Sequence, residues 1–392
     1  MNTQIQHDIG QLRSQELVIE EAKVFADQYI RPLAREHDAT GKLSRTLINE
    51  IAKRGYLGAT FPAEYSGLEL DPVYYGMLNE EIGKACSSTR ALLTVGTSLI
   101  GESILRWGTT DQKKKWLPLI SSAEKIGAFA LTEPKAGTDA KGIESSYEKD
   151  GDSYIITGHK KWITLAGIAD FFLVIAKNAE QQISAFLVDR NPDIEIKEML
   201  GLMAAKGSHI AEVKFNRVRV PKENLLGAEG RGFSCIVSTA LDHGRYSIAW
   251  AGVALAQEAL EAMVNYARQR KQFGKKIYQF QLIRGIIADS ITEIHAARAL
   301  CLRAGELRKQ MEPESIVETT VAKYFSSKVA MKVTMDAVQV HGGNGCYNEY
   351  PVERLFREAK VLEIIEGTSQ IQQEMIASYA LREYYNGKKT IE

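Results

Sequence analysis

In the first third of the chain, apolar residues return at helical rather than strand spacing. In the stretch from Ser14 to Asp38, Val18, Ala22, Phe25 and Ile30 fall near one face. Ser14 and Glu16 suit a helix start, so helices are predicted up to about Ile120. From about Ser121 to Glu229 the pattern changes to short β-rich runs, YIITGHKKWIT, FFLVIAK, SAFLVDR and AEVKFNRVRVP, separated by Gly, Asn, Asp and Pro. These predict a compact β domain. After Gly232 long helices return. Leu260, Met263, Val264 and Ala267 form one stripe and Ile283, Ile287, Ile291 and Ile294 another, both expected to be core, and Pro313 with Ser315 marks a fresh helix start. Successive helices broken by turn signals are what an antiparallel bundle requires. The expected domains are 1–120 helical, 121–229 β and 230–392 helical bundle. No repeat of solenoid length interrupts this order.

Composition narrows the function classes. A chain of 392 residues with 45% hydrophobic content can bury a large core. Lys plus Arg and Asp plus Glu both number 49, so there is no global basic field for nucleic acid. Cys86, Cys235, Cys301 and Cys346 are far apart with no CxxC pair, which argues for free thiols in a reducing compartment and no metal site. No apolar run is long enough to span a bilayer, and the start MNTQIQHDIGQLRSQE is too polar for a signal peptide. A cytoplasmic location is expected, and a processed organellar protein would read the same way.

Several segments carry candidate chemistry. GAFALTEPKAGTDA, residues 127–140, offers hydroxyls and glycine-freed backbone amides after an apolar strand, suiting either an anionic cofactor or an ordinary strand-to-turn connection. Trp162 and Thr164 occupy alternate positions of a probable strand, which would point both the same way: an aromatic plane and a hydroxyl for a flavin ring, or simply core. RKQFG, Arg270 to Gly274, ends a helix with a guanidinium, an amide and an aromatic ring. QVHGGNG, Gln339 to Gly345, lets backbone approach a phosphate but lacks Rossmann spacing. In EIIEGTSQIQ, Glu366 follows Ile364 and Ile365 and precedes Gly367, a setting for a desolvated base or for a surface carboxylate.

FALTEPKAGTD, KWIT, RVPKENLLG, RKQFGKKIYQFQLI, HGGNGCYNEYPVERLFREAK and IIEGTSQIQ, in this order, resemble the acyl-CoA dehydrogenase family over essentially the whole chain. The resemblance implies an α+β, mostly α fold: an N-terminal helical domain, a central β-barrel or sandwich and a C-terminal four-helix bundle. It implies FAD-dependent removal of two hydrogens from an acyl thioester, with Glu366 taking the α-proton and the β-hydrogen passing as hydride to the flavin. Phe129, Leu131, Thr132, Thr138, Trp162 and Thr164 would hold the flavin end of FAD. Arg270, Gln272, Phe273, Gln281, Gln339 and Gly343 would hold the adenosine end of a neighbouring subunit's FAD, and Thr368 and Gln370 would also touch the cofactor. A homo-oligomer, dimer or tetramer, is implied, with an electron-transfer flavoprotein as a common acceptor. Arg245 would orient the active-site loop or form a structural ion pair, and the backbone at Glu366 and Gly367 would meet the thioester carbonyl. Some relatives carry the base at the position of Gly244, which here has no side chain.

One stretch departs from the family pattern. Many CoA-using members read LGxRGS where this chain has Ala204 and Lys206 in MAAKGSHIAEV, which looks more like members acting on acyl groups tethered to acyl carrier proteins. A CoA thioester is therefore the expected substrate, with a carrier-protein thioester as the alternative. Thr94, Thr97 and Ser98 are candidates for the acyl pocket. Lys113 to Lys115 fit a solvated helix start or an acidic partner.

Overall fold

The computed structural model describes residues 14–385; most of the polar start and the last seven residues lie outside the described residues. Helix α1, Gln15–Phe25, is capped by the Ser14 hydroxyl, which accepts from Leu17 N at 3.2 Å. Val18, Ala22, Phe25 and Ile30 are all buried, as the stripe requires. Short helices α2, Ala34–Thr40, and α3, Arg45–Lys53, follow. Helix α4, Pro72–Ala85, starts under the Asp71 carboxylate, which accepts from Val73 N and Tyr74 N at 3.0 and 3.1 Å. Helix α5, Ser87–Leu92, widens into a π-helical stretch, Leu93–Gly101, and continues as α6, Glu102–Trp107. Such a widening shifts which side chains face a neighbour and is frequent at functional sites. Helix α7, Thr110–Ser121, begins with a capping box between Thr109 and Gln112.

The eight-stranded mixed sheet has the order β6-β7-β3-β2-β4-β5-β8, with β1, Gly127–Ala130, added parallel to β4, Phe171–Lys177. The other strands are β2 (Ser146–Asp150), β3 (Ser153–Ile163), β5 (Ile183–Asp189), β6 (Ile194–Glu198), β7 (Ala211–Pro221) and β8 (Leu225–Leu226). Side chains alternate across a strand, and here both faces are used. Phe172, Val174, Phe186 and Val188 fill a core within the β domain, whereas Phe171, Leu173, Ile175 and Leu187 join the helical core. The sheet is thereby held against the helices, with the Phe171 and Trp116 rings 4.6 Å apart.

The C-terminal bundle comprises α8, Ser238–Gln269, α9, Gln281–Lys309, and α10, Ser315–His341, with α11, Val352–Leu362, and α12, Ser369–Tyr384, packed on α10. Strands β9, Lys271–Gln272, and β10, Lys275–Lys276, form a hairpin between α8 and α9. No helix among the described residues is long and apolar enough to cross a membrane.

One expectation holds only in part and another fails. Of the stripe Ile283, Ile287, Ile291 and Ile294, only Ile294 is fully buried, Ile283 and Ile287 do pack against the core, and Ile291 is 43% exposed. Helical spacing reports an apolar face but cannot say whether the same chain covers it. Trp162 and Thr164 do not share a strand face. Trp162 has φ 62°, the β3–β7 register slips between Lys160 and Ile163, and β3 ends at Ile163. The irregularity turns the indole outward, leaving Trp162 52% exposed.

Candidate functional site

Glu366 lies in the turn between α11 and α12 with φ 53°, and Gly367 follows at φ 94°. Left-handed backbone at a glutamate is strained by roughly 1–2 kcal/mol and persists only where neighbours hold it. Here two consecutive carbonyls are held by three side chains. Arg245 Nε donates to Glu366 O at 3.2 Å, Gln372 Nε2 to Glu366 O and Gly367 O at 3.2 and 3.0 Å, and Lys323 Nζ to Gly367 O at 2.7 Å. Lys323 is fully buried, and burial pulls its pKa down to about 8 against the opposing pull of Glu366. Thr368 caps α12, its Oγ1 accepting from Ile371 N at 3.3 Å.

The turn aims the carboxylate inward. Glu366 as a residue is partly accessible, yet its Oε2 is wholly buried and has no hydrogen-bond partner among the described residues. A Cβ placed on Gly244 of α8 would stand 2.5 Å from that Oε2 and 2.7 Å from Leu99 Cδ2, so the glycine is the space the carboxylate occupies. Burial raises the Glu366 pKa to about 7, although Arg245, Lys323 and Arg90 each pull it down. The sequence neighbours Ile364 and Ile365 do not supply this desolvation, since Ile364 is 53% exposed and Ile365 is exposed too. Leu99 and the close approach of α8 supply it. The Glu366 N–H donates to no acceptor among the described residues and is free for a ligand oxygen.

The loop after β1 has a different anchor. Lys160 on β3, fully buried, donates from Nζ to Leu131 O at 3.0 Å and to Glu133 Oε1 at 2.7 Å, while Ser145 N donates to the same carboxylate oxygen at 3.0 Å. Burial lowers the Lys160 pKa to about 8 against Glu133. Leu131 is buried, Phe129 and Thr132 are half-buried, and Thr138 is exposed farther along the loop. Glu133, Lys160 and Lys323 were not singled out by the sequence reading. Their one local signal is a charged residue at an otherwise apolar, inward position.

Arg270, Gln272, Phe273, Gln281, Gln339 and Gly343 gather at one end of the bundle. Tyr266 near the end of α8 stacks on His341 at the end of α10, with ring centroids 4.2 Å apart, and Ile277 N donates to Arg270 O at 2.9 Å. All six residues are exposed. Phe273, 93% exposed, tips the hairpin with Gly274 at φ 52° and 78°. Arg270 forms no ion pair among the described residues, and a Cβ on Gly343 would meet only open space. Gln370 on α12 is likewise exposed.

An uncovered aromatic ring, an unpaired guanidinium and open glycine backbone suit one end of an anionic dinucleotide. A pinned loop of backbone amides beside an outward indole suits a flavin ring. The residues present therefore fit FAD. No group of three or more His, Cys, Asp or Glu among the described residues could hold a metal.

Sequence and structure comparisons agree along the chain. Residues 13–124 match the acyl-CoA dehydrogenase N-terminal domain, 128–218 the middle domain and 230–381 the C-terminal domain. The chain is 40% identical over 376 residues to the probable acyl-CoA dehydrogenase YngJ of Bacillus subtilis, covering 94% of this chain and 98% of that one. It is 36% identical over 380 residues to the short-chain specific acyl-CoA dehydrogenase of Clostridium acetobutylicum, covering 96% and 100%. The solved butyryl-CoA dehydrogenase of Megasphaera elsdenii superposes with a TM-score of 0.90 at 36% identity, covering 94% of this chain and 98% of that one.

Proposed function

The chain belongs to the acyl-CoA dehydrogenase family, and from that premise we propose that Glu366 is the base of an FAD-dependent α,β-dehydrogenation of an acyl-CoA. The observation that carries the assignment is the Glu366 carboxylate: inward-aimed, with Oε2 buried and unpartnered and a pKa raised to about 7. A base with its pKa near the working pH combines availability with driving force. FAD, when bound, supplies the acceptor for the β-hydrogen and its electron pair.

The chain's own groups perform the rest. The Glu366 carboxylate takes the α-proton, and Gly244 leaves the room in which it moves. The unpaired Glu366 N–H is placed to donate to the thioester oxygen as negative charge develops there. Arg245 and Lys323, bonded to the carbonyls of the turn, hold the base against the strain of its backbone and add positive charge nearby.

Phe129, Leu131, Thr132, Thr138, Trp162, Thr164, Thr368 and Gln370 are proposed for one end of FAD. Arg270, Gln272, Phe273, Gln281, Gln339 and Gly343 are proposed for the other end of a second subunit's FAD. The exposed apolar face of α9 and the uncovered Phe273 support a homo-oligomer. An electron-transfer flavoprotein is proposed as the oxidant that restores FAD. The relatives named above are acyl-CoA dehydrogenases at 36–40% identity, against 26% for a solved prolyl acyl carrier protein oxidase, so the carrier-protein alternative is not favoured.

Anaerobic bleaching of the flavin absorbance by a panel of acyl-CoAs, with the same acyl groups on a carrier protein alongside, tests this reading. Bleaching by CoA esters is the expected result; bleaching only by carrier-bound groups would overturn the CoA assignment.

A further inference from the structure

The base and the residues proposed for the flavin sit on different parts of the chain, and one arginine side chain joins the segments that carry them. Arg357 on α11 uses all of its N–H donors. Nη1 donates to Asp38 Oδ1 at 3.1 Å and to Met203 O at 2.6 Å, and Nη2 donates to Asp38 Oδ2 at 2.7 Å and to Glu353 Oε1 at 3.1 Å. Nε completes the set by donating to Glu353 Oε2 at 2.8 Å. A planar guanidinium gripping two carboxylates in this way is held in both position and orientation. Asp38 belongs to α2 and Met203 to the connection between β6 and β7. The guanidinium therefore ties α11 to the N-terminal helices and to the β domain at once. Lys206, in the same connection, brings a second cation within 3.6 Å of Asp38 Oδ2.

This connection is the stretch MAAKGSHIAEV, whose sequence departs from the family pattern. Lys206–Ser208 make a single 3-10 turn bracketed by Ala205 at φ 52° and His209 at φ 46°. Two left-handed residues other than glycine persist only where neighbours hold them. Ser208 O accepts from Leu165 N at 2.8 Å and His209 O from Gly167 N at 3.0 Å, while His209 Nε2 accepts from Leu43 N at 3.1 Å. A Cβ on Gly207 would stand 3.2 Å from Ser88 Cβ and 3.3 Å from His37 Cβ, so the turn is seated on α5 and α2. Leu165 and Gly167 come directly after Trp162 and Thr164. On the other side, Arg357 stands nine residues before Glu366. Helix α11 runs on to Leu362, and Ile364 N and Ile365 N both donate to Val361 O, at 3.0 and 3.1 Å. The turn that bears the base thus grows straight from the end of the helix that Arg357 anchors.

We propose that Arg357 is a positioning residue of the dehydrogenation, setting the separation between the base and the Trp162–Gly167 segment through the 203–209 connection. This rests on the acyl-CoA dehydrogenase reading and deepens it. Removal of the α-proton needs only the base and the thioester in register. Passage of the β-hydrogen with its electron pair to FAD needs base, thioester and flavin aligned together, and a misplacement of about 1 Å can cost ~100-fold in such a step. Arg357 acts on the second requirement. The first is met by Arg245, Lys323 and Gln372, which hold the Glu366 turn from the bundle without help from Arg357.

The test uses the FAD-loaded enzyme and two probes. Butyryl-CoA reports the whole reaction as anaerobic flavin reduction. (Methylthio)acetyl-CoA, with sulfur in place of the β-carbon, has no β-hydrogen to give, so solvent-deuterium exchange at its α-carbon reports the base alone. Should another ester of the panel reduce the flavin faster, it and its thia analogue take their place. In Arg357→Met, flavin reduction at saturating ester, per bound FAD, should fall ~30-fold or more while α-exchange changes by less than ~3-fold, and Arg357→Lys should restore part of the reduction rate. The backbone amides of Leu165 and Gly167, which donate into the connection, should lose ~10-fold or more of their protection from hydrogen exchange. Equal losses in α-exchange and flavin reduction, unchanged reduction, or unchanged protection of the two amides would overturn the proposal. The equal losses are what a merely structural arginine predicts. If Arg357→Met fails to fold, Asp38→Asn, which weakens the same contact from α2, must show the same split between the two probes. If no acyl-CoA of the panel reduces the wild-type flavin, the dehydrogenase reading itself fails, an outcome distinct from any difference between variant and wild type.

Discussion

Replacing Glu366 by glutamine removes the charge but keeps the shape, so it separates the cost of the base from its use. Burial raises the Glu366 pKa from 4.5 to about 7. A carboxylate with a raised folded-state pKa binds more protons in the native than in the unfolded chain between those two values. Stability then falls as pH rises through that window. The contribution is fully present below about pH 4.5 and lost as pH passes about 7. From pH 5 to pH 8, wild type should therefore lose about 2 to 3 kcal/mol relative to Glu366→Gln. Any fixed cost of burying the amide cancels in that difference. The assay is urea unfolding of both proteins across this pH range at matched, saturating FAD. In parallel, anaerobic flavin reduction by acyl-CoA should drop by at least ~100-fold in the variant. A stability gap that does not change with pH would show that the carboxylate is not desolvated in the folded protein. Undiminished flavin reduction would remove Glu366 as the base.

Gly244→Ala puts a methyl group where Glu366 Oε2 approaches to 2.5 Å, so it should destabilise the fold by about 1–3 kcal/mol and sharply lower turnover with FAD retained, measured by unfolding and steady-state kinetics. Lys323→Met removes a cation that holds the Glu366 pKa down, so the acid limb of the pH–rate profile should move to higher pH, with Lys323→Arg restoring part of the shift. Glu133→Gln leaves Lys160 buried without its counter-charge and should cost about 3–5 kcal/mol of stability while loosening the loop at Leu131, read as FAD loss on dialysis. Arg270→Ala should weaken FAD retention, and full occupancy after dialysis would count against Arg270 as a cofactor ligand.

Periodicity conveys which face of an element is apolar, and for α1 and the π-helical stretch Ala26–Ile30 that continues it this was enough: Val18, Ala22, Phe25 and Ile30 all enter one core. For α9 the same kind of pattern held only in part: Ile294 is core and Ile283 and Ile287 pack half-buried against it, whereas Ile291 is 43% exposed. Strand alternation likewise could not foresee the irregularity at Trp162, which depends on how β3 meets β7.

The sequence by itself determined the order of helices, strands and helices and, through six separated motifs, the family and its cofactor chemistry. Those features are local patterns or matches that survive without coordinates. The tertiary structure alone decided what suits the Glu366 carboxylate to the proposed role of base. Its desolvation comes from Leu99 and Gly244, and its backbone is held by Arg245, Lys323 and Gln372, all but one of them more than forty residues distant in the chain. The same holds for Arg90, whose burial and hydroxyl partners Thr94 and Ser247 become visible only when the packing around it is known. Electrostatic cost depends on burial and on which charges are neighbours, and both are properties of the folded chain.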